Sequence, residues 1–238
     1  MRSFWSDPFL WIHLSGAAAL PIFLGLCLLG LAVGSPMLPV WLEVFLVAVA
    51  GIAPVLWMQW FRPFYIFSIL VVAVKPQNLT KAQQQILTRF KTKLNQGLAL
   101  FVAVLLGVIL WQLYRLAPLA ATVAPFPPSR RWAGLLLAVA AFLASNLFLQ
   151  VSASVMAVLL TPESEFAATK PHVLEKIRQD FTIAPWQVDR LLPTFTGETT
   201  ATAAVPAEST GLPSGSIVHS EPANTNQPTS LPEQSLEK

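Results

Sequence analysis

Four apolar runs, at about 9–33, 40–60, 96–115 and 132–160, dominate the chain. A bilayer core of roughly 30 Å is crossed by about 20 helical residues. A backbone in hydrocarbon must satisfy its own hydrogen bonds, so such runs fold as helices and not as open sheet. The rest of the chain does not alter that conclusion. Only 11% of its 238 residues are charged, against about 25% in soluble domains, too few to cover a water-facing surface. The eight Trp residues suit the bilayer–water boundary, where Trp is enriched. The expected fold is therefore an all-α integral membrane protein with four transmembrane helices.

The first span opens on "SDPFLW". Asp7 can accept from free N–H groups of the first turn, and Pro8 has no N–H to leave unpaired. Pro21 falls inside the run and predicts a kink. The run is longer than a signal core and lacks a closing small-x-small site, so it reads as retained. A turn-rich link at 34–39 leads to the second span, which contains Pro54 and stops at Arg62-Pro63. Direct antiparallel pairing of these two spans sets His13 opposite Gln59 and Trp60, and Glu43 opposite Gly30.

The segment 64–74 is too short to cross and lies between Pro63 and Pro76. It reads as an interfacial or partly buried helix, a re-entrant hairpin, or an extension of the second span, with the interfacial helix preferred. Residues 80–94 then carry a capping-box pattern, Thr80 with Gln83. Ala82, Ile86, Leu87, Phe90 and Leu94 share one helical face. Lys75, Lys81, Arg89, Lys91 and Lys93 supply charge of one sign, and no acidic residue occurs between Glu43 and Glu163. The expectation is a basic amphipathic helix lying on anionic lipid headgroups.

Basic loops mark the cytoplasmic side. Six Lys and Arg residues fall between Arg62 and Lys93, whereas the 34–39 link has none and the 116–131 link has Arg130 and Arg131 at its end. Four crossings then put both termini in the cytoplasm. Residues 163–195 have mixed charge and suggest a small cytoplasmic helical extension, with helices at "PHVLEKIRQDF" and "PWQVDRLL". Residues 196–238 are a Thr, Ser, Pro, Ala and Glu-rich tail, which cannot bury enough apolar surface to offset chain entropy and is expected to be disordered.

Candidate chemistry is sparse. His13 is the one candidate ligand for a haem or chlorophyll. It has no second axial histidine, so it reads as an interfacial side chain bonded to backbone or headgroup, and no cofactor is expected. Glu43, an acid about one turn into its span, reads as a helix-start carboxylate. Asn146, Gln150 and Ser154, spaced by four, form a polar face suited to helix–helix hydrogen bonds or, in an oligomer, to a solute path. Cys27 stands alone, and His172 and His219 lack ligand-spaced neighbours, so no metal site is expected. The 172–192 segment has the apolar spacing of a helix-turn-helix, but its acids argue against a nucleic-acid partner. No Walker loop, Rossmann glycine fingerprint or HExxH motif occurs, so no catalytic residues are assigned and no enzymatic activity is expected.

The strings "MRSFWSDPFLWIHLSGAAALPIFL", "LPVWLEVFLVAVAGIAPVLWMQ" and "RPFYIFSILVVAVKPQNLT", followed by the Ser/Thr/Pro-rich tail, resemble the cyanobacterial low-complexity-tail membrane proteins. The resemblance covers roughly the first 195 residues. It implies a cyanobacterial plasma or thylakoid membrane and supplies no site residues. The functional expectation is a non-enzymatic interaction or assembly protein, with photosynthetic membrane complexes as possible clients. The alternative is a small oligomeric transporter or channel.

Overall fold

The computed structural model describes residues 3–69 and 71–192. The tail at 196–238, expected to be disordered, lies outside these residues. Among the described residues, four helical stretches are long and apolar enough to cross a membrane: Pro8–Leu31, Val40–Phe61, Lys93–Val123 and Pro128–Leu159. Asp7 caps the first, accepting from Phe9 N at 2.9 Å. That span is two α-helices, α1 (Pro8–Ser15) and α2 (Leu20–Leu31), separated by a 3-10 stretch at Gly16–Ala19. Pro21 explains the break, because its ring excludes an α-helical carbonyl four residues back and it offers no N–H to that carbonyl. Helix α3 (Val40–Phe61) continues through Pro54.

The second half of the bundle is α5 (Lys93–Leu116) and α6 (Arg131–Leu159), which follow a shorter helix, α4 (Lys81–Phe90). Helix α6 is central and packs on α1, α2, α3 and α5. The first span therefore rests chiefly on α6 and not, as direct hairpin pairing implies, on α3. Small residues explain the preference. A Cβ on Gly30 would stand 2.6 Å from Gly134 O and 2.7 Å from Ala138 N. Small residues let two backbones approach closely, which drives association where lipid removes the hydrophobic incentive. Gly34, with φ of 64°, turns the chain out of α2 and packs on Pro128.

On the side of the bundle where α1 begins and α6 ends sits a cap made from two distant segments. Strand β1 (Ser68–Ile69) pairs antiparallel with β2 (Val72–Val74), with Ser68 opposite Ala73. Strand β3 (Trp186–Val188) joins β2 in parallel, with Ala73 opposite Gln187. Two sequence expectations are corrected here. The 64–74 segment is an extended hairpin and not an interfacial helix, and "PWQVDRLL" supplies a strand and not a helix. Aromatic and β-branched side chains favour extended backbone on a half-buried surface, and 64–74 is made largely of them. Tyr65, Ile66 and Phe67 are all fully buried.

The extension also forms α7 (Glu163–Ala167) and α8 (Leu174–Asp180). Their Phe166 and Ile177 share one apolar core with Phe4, Phe9, Phe67, Ile86, Leu87 and Phe90. This overturns the expectation that α4 lays its apolar face on lipid. Ile86, Leu87 and Phe90 are covered by protein, within the apolar core that also takes residues from the N-terminal stretch, the hairpin, the end of α6 and the C-terminal extension.

Candidate functional site

Polar groups within the spans gather at two levels. At the end opposite the cap, Arg131 opens α6 and Glu43 stands in the first turn of α3. The Arg131 guanidinium donates to Glu43 Oε2, to Leu31 O at 2.6 Å and to Val33 O at 2.9 Å. Glu43 Oε1 accepts from Met37 N at 2.8 Å, and Tyr114 Oη reaches Oε2 at 3.4 Å. Both charged side chains are buried. One ion pair thus ties the end of α2, the 34–39 link, α3, α5 and α6. Glu43 is a helix-start carboxylate whose charge is met by a buried Arg131.

Nearer the middle, Asn146 Nδ2 donates to Gly51 O at 3.0 Å and Gln150 Nε2 to Ala99 O at 2.9 Å. The two amides on α6 therefore fasten α3 and α5. Ser154 is buried on the same face, and Ser152 Oγ donates to His13 O at 2.9 Å. The carbonyl oxygens of Asn146 and Gln150, and both polar atoms of Gln59, are buried without a protein partner. His13 Nδ1–H donates to Phe9 O at 2.8 Å, and its ring packs beside Phe64.

The cap carries the charge. Lys75 pairs with Asp189 at 3.0 Å, Arg89 with Glu165 at 2.7 Å and Lys91 with Asp180 at 2.8 Å. The acids missing from the 75–96 stretch thus arrive from the C-terminal extension. Lys91 holds the Asp180 carboxyl below its ordinary value, helped by His172 Nε2 at 3.0 Å. Lys75 and Asn78 do the same for Asp189. Lys81 and Lys93 are exposed and make no ion pair among the described residues. Arg62 adds a further clasp, donating to Arg178 O at 2.8 Å, while Thr182 Oγ1 donates to Arg62 O at 2.7 Å.

The cap's outer surface carries exposed apolar side chains, among them Val173 and a large aromatic. Trp186 on the edge strand β3 is 66% exposed and Val71 is 49% exposed. Their backbones adjoin, since Trp186 N donates to Val71 O at 3.2 Å. The ion pairs and the exposure of Trp186 were not anticipated from sequence. The acids of 163–192 were visible, but their partners lie roughly 75 to 115 positions away.

No curated protein and no solved structure matches the chain. A family model described as low-complexity tail membrane protein-like matches residues 6–193, over the bundle and the cap together, and the chain belongs to that family.

Proposed function

We propose that the protein is a non-enzymatic interaction or assembly protein of a cyanobacterial membrane, and that its cap engages a membrane-protein partner. The observation that carries this reading is Trp186, 66% exposed on an edge strand of a cap otherwise fixed by strand pairing and ion pairs. An exposed aromatic on a rigid, polar-rimmed surface is the usual form of an interface anchor. The tail follows within a few residues of β3 and would raise the local concentration of anything it binds. The cyanobacterial source comes from the family resemblance, and it makes photosynthetic membrane complexes the first partners to test.

The proposed topology puts the cap and both termini in the cytoplasm. Six basic residues from Arg62 to Lys93 flank the cap side. The other end has Arg115, Arg130 and Arg131, the last bound to Glu43. The excess favours a cytoplasmic cap, and leaves Lys81 and Lys93 to face anionic headgroups there.

The test is mild-detergent purification of the tagged full chain from its native membrane, with subunit identification and an absorption spectrum on one sample. A reproducible stoichiometric partner supports the reading. A preparation containing this chain alone opposes it.

A second reading, a small oligomeric transporter or channel, is favoured by the unpartnered amide atoms of Gln59, Asn146 and Gln150 inside the bundle. It requires that replacing Asn146, Gln150 and Ser154 together with Ala abolish a flux measurable in proteoliposomes.

A further inference from the structure

A groove of about 660 Å3 opens between the α4–α5 junction and the end of α6. Its volume is in the range of small-molecule sites, about 300–1,000 Å3. Its walls are mainly apolar, with Leu94, Leu98, Ala153, Met156, Ala157 and Leu160 among them. Lys93 begins α5 and Leu159 ends α6, so one end of the groove lies at the cap-side boundary of the spans. Leu98 and Ala153 extend it about 8–9 Å along the helices toward the hydrocarbon. Its rim is open, with Leu94 76% and Leu160 68% exposed. Acyl chains and headgroups meet at that level, so the ligand that suits the slot is an amphiphile.

Charge at the cap-side end decides the head. Arg89 and Glu165 both line the groove and pair at 2.7 Å, so their charges offset. Lys91 is taken by Asp180. Lys93 differs. It stands between Thr92 and Leu94, which line the groove, and it is exposed. It makes no ion pair among the described residues. Its long apolar stem can lie along the rim and carry the ammonium to the mouth. The polar side chains of the lining are committed to the backbone. Thr92 Oγ1 donates to Arg89 O at 3.0 Å, Asn95 Nδ2 to Phe90 O at 2.9 Å and Thr161 Oγ1 to Ala157 O at 3.1 Å. An entering head therefore meets one uncancelled positive charge and few hydrogen-bonding groups that could select it. A head with net negative charge complements that mouth. A zwitterionic head brings its own cation and gains less.

We infer that this groove is a binding site for an anionic diacyl phospholipid. One acyl chain lies along Leu98, Ala153 and Met156, and the phosphate sits at Lys93. The assignment builds on the reading that Lys93 faces anionic headgroups and narrows it to one bound lipid. A diffuse attraction to headgroups would draw equally on Lys81, which is also exposed and unpaired among the described residues. The site needs no partner at Trp186, so either can fail without the other.

The test is native mass spectrometry of the delipidated full chain in mild detergent. Phosphatidylglycerol and phosphatidylcholine with identical acyl chains are added at equal concentration. The expected result is a phosphatidylglycerol preference of about fivefold, the upper range for one exposed ion pair. Lys93→Gln should bring the two lipids to parity, whereas Lys81→Gln should leave the preference intact. Ala157→Trp, which fills the groove from α6 and keeps Lys93, should remove both lipids. Lys93→Gln, at an exposed position, decides the matter if Ala157→Trp does not fold. Glycerol phosphate, the head without its chains, should not displace the lipid. Equal binding of the two lipids by the wild type, a preference that survives Lys93→Gln or falls as much with Lys81→Gln, retention by Ala157→Trp, or displacement by glycerol phosphate would overturn the assignment.

Discussion

Arg131 donates to Glu43 across 88 positions of sequence, and the two side chains meet buried at the end of the bundle farthest from the cap. Each half of this contact holds more than its partner. Arg131 closes two carbonyls at the end of α2, and Glu43 closes two N–H groups of the link into α3. Glu43→Gln leaves the guanidinium buried without its counter-charge, which costs about 3–5 kcal/mol when a buried pair is broken on one side. Glu43→Leu with Arg131→Met should cost less than the single change. Thermal unfolding in a fixed detergent gives the order: wild type, double variant, single variant.

The α2–α6 approach makes a steric prediction. Gly134→Leu drives a side chain into Gly30 O and Val33, where even a Cβ would come within 2.6 Å. Overpacking of this kind costs about 1–3 kcal/mol or separates the helices. Gly107→Leu is the control, because a Cβ there meets nothing within 4 Å. The same unfolding assay should show a lower midpoint for the first variant and an unchanged one for the second.

The parallel pairing of β2 with β3 is tested by crosslinking. Ala73→Cys with Gln187→Cys, in a Cys27→Ser background, places two thiols on directly opposed residues, within the spacing a disulfide tolerates. Oxidation should give a compact species of altered mobility in non-reducing gels. Were residues 185–192 a helix apart from the hairpin, no such species would form.

Docking of α8 should weaken in acid. Asp180 has a folded-state pKa lowered by Lys91 and then His172. Its contribution is therefore fully present above the ordinary carboxylate value of 3.8 and is lost as pH falls through the folded value. Protection factors of the Leu174–Asp180 amides, corrected for intrinsic exchange, should drop below that pH. Asp180→Asn should remove most of this dependence and cost about 1 kcal/mol or less at neutral pH, as partly exposed ion pairs do.

The spans were legible because a bilayer demands length and hydrophobicity within one continuous stretch, and residues such as Pro8, Pro21 and Thr80 mark local backbone events. The Asn146–Gln150 spacing was legible as a shared face for the same local reason. The cap was not. Its strands are two or three residues long, too short to show a period, and Ala73 meets Gln187 from across two membrane spans. The basic stretch from Lys75 to Lys93 misled because its acidic partners Glu165, Asp180 and Asp189 follow the last span. Glu43 and Arg131 each stood out alone. Only their common depth at the far end of adjacent helices joins them, and that requires knowing that α3 and α6 pack together.

The mass and composition of the complex purified from native membrane test the central proposal most directly, wild type against a Trp186→Ser, Val71→Ser variant. The interaction reading predicts a second polypeptide at fixed ratio to the wild type, lost from a variant whose unfolding midpoint is unchanged. A wild-type particle built from this chain alone would contradict it.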